Sequence, residues 1–164
     1  MEYRIGTLQD LDAICQLIRD AVEEMERHGI HQWDEVYPAR ADFEEDIRKN
    51  NLYLAYEEDT LAALYVISDE CDEAYQNGAW KYEDASAYIL HRFCVSPKFQ
   101  NKGIGKKVLL YIEEQIRDMG YRSIRLDTFT ENPFAQRLYR HNGYVQVGYA
   151  DWRKGRFDLM EKKL

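Results

Sequence analysis

Gln100-Asn101-Lys102-Gly103-Ile104-Gly105 lies between a hydrophobic run, Tyr88 to Val95, that reads as a strand, and an amphipathic run from Ile104 that reads as a helix. A helix start leaves about four backbone N–H groups unpaired and carries roughly half a positive charge, so an anion placed there gains hydrogen bonds and field together. Lys102, Lys106 and Lys107 add whole charges, and Gly103 and Gly105 let the backbone approach a bulky ligand. Two nucleotide readings fail on this stretch. A dinucleotide fingerprint needs a third glycine where Val108 stands, and a Walker A loop needs Gly and Ser or Thr where Gln100 and Lys107 stand.

Working outward, Ile104 to about Met119 is a helix stopped by Gly120, and Ser123 to Thr128 is the next strand, which makes a β-α-β unit with parallel strands. Asn132 caps a last helix that has Pro133 at its first position and Gly143 after its end. Tyr144 to Tyr149 and Arg156 to Met160 read as final strands. On the N-terminal side, Tyr3 to Gly6 opens as a strand and Thr7 caps a helix from Leu8 to about Arg27, with Leu11, Ile14, Ile18, Ala21, Val22 and Met25 at helical spacing. A shorter helix fits Ala41 to Arg48, and Leu52 to Tyr56 with Leu61 to Ile67 form a hairpin around Glu57-Glu58-Asp59. Ser68 to Ala85 is long, acidic and without a period, which marks either a functional or a mobile loop.

A length of 164 residues suits one domain spanning the whole chain. No apolar run approaches a membrane span and no charged-then-apolar leader is visible, so a cytoplasmic protein without a membrane partner is expected. Cys15, Cys71 and Cys94 are scattered thiols that suit neither a disulfide framework nor a zinc site, and the His28/His31 pair alone is a weak metal signal, so no metal is expected. The net charge of −8 hides an asymmetry: residues 1–86 carry 7 basic and 22 acidic side chains, and residues 87–164 carry 15 and 8. A basic C-terminal half suits a polyanionic ligand, and an acidic N-terminal half either draws in a cation or solvates helix faces. Nucleic acid is not expected, because the basic residues do not interleave with exposed-looking aromatics.

The pattern Gln100-x-x-Gly103-x-Gly105 after Val95-Ser96-Pro97 resembles the pyrophosphate-binding motif of the GNAT family of N-acetyltransferases, and two further blocks carry the likeness. They are His91 to Pro97 and Asn132 to Tyr144, and with the element order the resemblance covers nearly the whole chain. It implies the α/β acyl-CoA N-acyltransferase fold, a mixed sheet of about seven strands with four helices packed on it. By the same resemblance acetyl-CoA is the cosubstrate, held by Gln100, Asn101, Lys102, Gly103, Ile104, Gly105 and Lys106 at its pyrophosphate. Strand residues Phe93, Cys94 and Val95 would meet its pantetheine arm where the fourth strand splays from the fifth, and Asn132 would hold that arm as well as cap the helix. Tyr139, two turns on and on the same face, would meet the departing thiol sulfur, its alternative being a packed core aromatic. Homodimers are common in the family, and no feature of this chain decides the matter.

Direct attack requires a neutral amine, and stripping a proton from a lysine-like amine at pH 7 costs roughly 4–5 kcal/mol. Tyr139 is accordingly read as a strong hydrogen-bond donor to the leaving thiolate, and the amine needs a base. Histone-acetylating relatives place a Glu where this chain has Ile89, so the base is open among His91, Glu35, Asp34 and Asp127, with His91 named first because an imidazole titrates near neutrality. A strand histidine satisfied by a backbone group is its alternative. Trp33, Asp34, Tyr37 and Trp80 are the candidate acceptor wall, since aromatics with carboxylates suit an ammonium group, and a hydrophobic plug is the other reading of those aromatics. The acceptor is an amine-bearing small molecule or peptide. A non-catalytic acyl-CoA-binding or regulatory module is the second functional reading.

Overall fold

The computed structural model describes residues 1–164. In chain order the elements are β1 (Glu2–Ile5), α1 (Leu11–Arg27), α2 (Arg40–Arg48), β2 (Leu52–Glu57), β3 (Thr60–Ser68), β4 (Ala87–Val95), α3 (Ile104–Asp118), β5 (Ser123–Phe129), α4 (Pro133–His141), β6 (Val145–Trp152) and β7 (Gly155–Lys163). The strands form a seven-stranded mixed sheet in the order β1-β2-β3-β4-β5-β7-β6. The final strand inserts between β5 and β6, an order the linear pattern does not reveal. No helix is long and apolar enough to cross a membrane. By its internal contacts the chain divides into two compact units, Met1–Ile67 with Arg92–Val108 and Ser68–His91 with Leu109–Leu164. The boundaries fall at the last residue of β3, inside β4 and inside α3 rather than in a linker.

In the first unit, α1 buries Leu11, Ile14, Leu17, Ile18 and Ala21 along one stripe, and these pack with Phe43, Ile47, Leu52, Leu54, Leu64, Val66 and Cys94. Each such large side chain contributes about 1.5–3 kcal/mol by leaving water. The α-helix starts later than Leu8, because Leu8–Asp10 winds into a 3-10 turn. Asp10 explains the tight start: its carboxylate accepts the Thr7 N–H at 2.7 Å and two Arg4 guanidinium bonds at 2.7 and 2.9 Å. The β2–β3 hairpin pairs Glu57 with Thr60, so the connection is two residues rather than three. Glu58 and Asp59 take φ of 45° and 63°, the left-handed pair of a turn whose twist matches the strands.

In the second unit the acidic stretch from Ser68 to Ala85, which reads in the sequence as either a functional or a mobile loop, has a defined course. It contains two short 3-10 turns, Glu73–Asn77 and Asp84–Ser86, and is tied down by partners distant in sequence. Ala79 donates its N–H to the Val147 carbonyl at 2.8 Å, and Lys81 donates to the buried Glu161 carboxylate at 2.7 Å. Arg125 donates to the Tyr82 carbonyl at 2.7 Å and pairs with Asp84 at 2.8 Å. Gly148 is needed where β6 passes this stretch, since a Cβ there would sit 2.8 Å from the Asn77 carbonyl oxygen. Tyr75 packs with Ile89, Ala150 and Leu159 beneath it.

The Arg4 hydrogen bonds hold the Asp10 carboxyl at about 2, below its ordinary 3.8. A depressed carboxylate stabilises the fold above its unfolded value and loses that contribution as pH falls through the folded one. Arg4→Met is therefore expected to narrow its stability deficit relative to wild type as pH falls from about 5 toward 2, read from urea midpoints at a series of pH values. A deficit that stays constant across that window would show that Asp10 does not carry it.

Candidate active site

At the end of β4 in the first unit, Ser96 donates its N–H to the Ala62 carbonyl at 2.8 Å, which pins the strand's exit. Pro97–Phe99 forms a 3-10 turn, and the Gln100 side-chain amide reaches back to donate to the Val95 carbonyl at 3.2 Å. Asn101 and Gly103 take left-handed φ of 60° and 76°, so the loop doubles back before Ile104 begins α3. A Cβ on Gly103 would meet nothing within 4 Å, so glycine is required there by its φ rather than by crowding within the protein. Lys107 donates to the Gly103 carbonyl at 3.1 Å, closing the first turn and leaving the preceding N–H groups aimed out of the helix start. Lys102 folds over the loop, its ammonium 3.0 Å from the Lys98 carbonyl and above the Phe99 ring, while Lys106 is exposed. Backbone N–H groups, a left-handed glycine and lysines thus converge on one loop able to wrap a diphosphate.

Upstream on the same strand, Phe93 and Val95 are half-buried and Cys94 is buried in the α1 and α2 core. Burial alone pushes the Cys94 thiol up to about 12, so it is held as an inert thiol. Arg92 takes a left-handed φ of 49° inside β4. Its guanidinium donates to Asp46 of α2 at 2.7 Å and lies over the Tyr37 ring at 5.4 Å. Burial raises the Asp46 pKa, with Arg92 opposing the shift.

The candidate acceptor residues of this unit separate by environment. Trp33 is 8% exposed and packed into the α1 core, whereas Tyr37 is 43% exposed. Asp34 shapes the connecting turn by accepting the N–H groups of Val36 and Tyr37 at 3.0 and 3.1 Å. His28 and His31, the weak metal signal of the sequence, pair with Glu24 and Glu26 instead.

In the second unit, β4 pairs in parallel with β5 from Ala87↔Ser123 to Ile89↔Arg125. Ile89 is buried among apolar side chains. The imidazole of His91 has Nε2 3.0 Å from the Glu70 carbonyl oxygen and 3.1 Å from Ser68 Oγ. A carbonyl can only accept, so Nε2 carries a proton, and in the neutral ring Nδ1 is the acceptor nitrogen. Asn132 caps α4, its Oδ1 accepting the Ala135 N–H at 3.1 Å. Tyr139 is buried on α4 with its ring edge-on to Tyr144 at 5.5 Å.

Sequence reasoning missed the partners around these residues. Tyr75 donates to Asp127 of β5 at 2.7 Å, and burial, then the Asp127 charge, push its phenol well above the ordinary value, with Tyr139 contributing in the same sense. Trp80 stacks on Tyr75 at 5.6 Å, donates its indole N–H to the Tyr75 carbonyl and lies under Arg125. Tyr144 donates to the buried Glu113, which Lys162 also clamps at 2.9 Å through both carboxylate oxygens. One signal was available: Asp127 interrupts an otherwise buried strand, Ser123–Phe129.

The family model described as Acetyltransferase (GNAT) family matches residues 14–144, so this chain belongs to the GNAT acetyltransferases. Among individual proteins, it is 27% identical to S-(2-succino)cysteine N-acetyltransferase of Bacillus subtilis, covering 98% of this chain and 94% of that one. It is 31% identical to spermine/spermidine N(1)-acetyltransferase of the same organism, over 66% of this chain and 70% of that one. A GNAT family acetyltransferase from Streptococcus agalactiae superposes with a TM-score of 0.87 at 24% identity, over 99% of this chain and 95% of the other. The PaiA N-acetyltransferase of Thermoplasma acidophilum, solved in complex with coenzyme A, superposes at 0.74 and 20% identity, over 99% and 98%. The expected fold is thus the observed one, and the chain is an acetyl-CoA-dependent N-acetyltransferase.

The buried, high-pKa Cys94 thiol and the exposed Cys71 lead to a direct check. Iodoacetamide at pH 8 is expected to label Cys71 and spare Cys94 until the protein is denatured, as read by peptide mass spectrometry. Rapid labelling of native Cys94 would contradict the buried thiol.

Proposed function

We propose that the enzyme moves the acetyl group of acetyl-CoA to a primary amine by direct attack, within one catalytic domain formed by the whole chain. The observation that carries this reading is the loop from Gln100 to Lys106, where left-handed Asn101 and Gly103 open α3 beside three lysines. The loop takes the cosubstrate's pyrophosphate, and the backbone of Phe93 to Val95 pairs with the pantetheine arm, which Asn132 also holds. An enclosed thiol at Cys94 supports direct attack over an acetyl-cysteine intermediate, because a thiol near 12 supplies almost no thiolate at neutral pH.

Tyr139 donates a hydrogen bond to the sulfur as its bond to the acetyl carbon breaks. A phenol ordinarily near 10 gives its proton to a thiolate whose acid is near 8.5 only at a cost of roughly 2 kcal/mol, so it stabilises the developing charge rather than surrendering the proton first. His91 takes the proton of the attacking amine through Nδ1. Its Nε2–H, anchored on the Glu70 carbonyl, fixes the tautomer this task requires. Asp127 is less suited to be the base, because its Oδ2 already accepts from Tyr75.

For the acceptor, the two curated relatives are named for quite different amines, a cysteine derivative and a polyamine, which supports an amine without selecting one. The excess of 22 acidic over 7 basic side chains in residues 1–86 favours a cationic small molecule or peptide. In the first unit, Tyr37 and Asp34 are its candidate contacts and Trp33 is packed in the core; in the second unit, Trp80 is a separate candidate.

Tyr139→Phe is expected to lower kcat by about 100-fold with the acetyl-CoA KM nearly unchanged, and His91→Gln to lower kcat and remove the acidic limb of its pH profile. Both are read from CoA release with a panel of amines. Retained turnover in Tyr139→Phe would remove the donor role, and an unchanged profile in His91→Gln would remove the base. Binding of acetyl-CoA by wild type without release for any amine would favour the non-catalytic module instead.

A further inference from the structure

Arg92 is the left-handed residue in the interior of a strand, at φ 49° three residues past the last β4–β5 pair at Ile89. A Cβ in that region costs roughly 1–2 kcal/mol, and arginine lacks the short polar side chain by which Asn or Asp eases it. A second cost falls on the same residue, since its Nε is buried without a hydrogen-bond partner. Two local costs at one position next to the cofactor strand are the pattern of a backbone held for a purpose by its surroundings. What holds it is visible. Nη1 bonds Asp46 Oδ2 at 2.7 Å with both side chains largely enclosed, 17% and 12% exposed, and the Tyr37 ring covers the guanidinium.

A left-handed residue inside a strand re-aims the peptide groups that follow it and ends ordinary pairing. The peptide groups that follow are those of Phe93 to Val95. We infer that the Arg92–Asp46 ion pair is a positioning device that holds β4 in its kinked course and so presents these peptide groups to the pantetheine arm of acyl-CoA. The inference rests on the cofactor reading given above. The Arg92 side chain is engaged by Asp46 of α2, so the pair acts through the backbone that joins Arg92 to Phe93.

Glycine separates this role from a merely structural one, because it accepts φ near 50° without a partner. Arg92→Ala loses the pair and keeps the Cβ cost, so its CoA affinity by calorimetry and its acetyl-CoA KM should weaken about tenfold or more. Arg92→Gly loses the pair and the cost together, and should stay within about threefold of wild type in both. Should Arg92→Ala not fold, Asp46→Ala carries the same question: it should weaken CoA binding about tenfold, and adding Arg92→Gly should restore it. In every variant kcat at saturating acetyl-CoA should change less than KM. Equal affinities for the Ala and Gly variants, or no restoration in the double variant, overturn the inference. If wild type binds CoA and the variants do not separate, this inference alone fails; if wild type does not bind CoA, the cofactor reading fails and takes it along.

Discussion

Arg92 takes a left-handed φ inside β4, and its guanidinium bond to Asp46 offsets the steric cost of a Cβ there. This one interaction reconciles two demands on the same strand. Its first half pairs with β5 as ordinary parallel sheet, from Ala87 to Ile89. Its second half, past Ile89, makes no further pair with β5 and leads into the glycine-lysine loop. A regular strand cannot do both, because every peptide group in a central strand is normally spent on its neighbours. The loop repeats the device at Asn101 and Gly103, which turn the chain sharply enough for α3 to begin with its N–H groups outward.

Elsewhere, buried charge does the work that hydrophobic periodicity does in α1. The acidic stretch before β4 has little apolar surface to bury, yet Glu161 accepts the Lys81 N–H, Asp84 pairs with the Arg125 guanidinium, and Asp127 accepts the Tyr75 hydroxyl. Removing one partner from such a group leaves an uncompensated buried charge, so these contacts act as specific tethers. They set Tyr75 and Trp80 against the sheet and leave the carbonyl of Glu70 over His91, which in turn selects the imidazole tautomer. The order of this segment and the chemistry proposed for His91 therefore have a common origin.

Much of the architecture was legible in the residues. The stripe Leu11, Ile14, Ile18 and Ala21 announced a core helix, and the strand-glycine-helix sequence from Tyr88 announced a parallel unit. The Asn132-Pro133 cap announced α4. Errors fell where a side chain far away decides the local conformation. The tight turn at Leu8–Asp10 depends on Arg4; the course of residues 68–85, which the sequence leaves open, depends on Arg125, Val147 and Glu161. At the candidate site, the glycine-lysine loop before α3 could be read because its parts are local, backbone N–H groups, glycine and lysine within six residues. Tyr75, Asp46 and Arg92 could not, since an isolated tyrosine, a helix aspartate and a strand arginine are unremarkable until folding sets them in contact.

By itself, the sequence determined the kind of ligand this protein receives and the family to which it belongs, because both rest on short contiguous blocks: Gln100 to Gly105, His91 to Pro97, and Asn132 to Tyr144. Tertiary structure alone decided the insertion of β7 beside β5, the anchoring of the acidic segment and the burial of Trp33 in the α1 core. It also decided the clamp on Arg92. The physical reason is one of range. Capping, turn formation and helix-start anion binding involve neighbours in the chain, whereas strand order, buried ion pairs and desolvation arise between residues that only folding brings together.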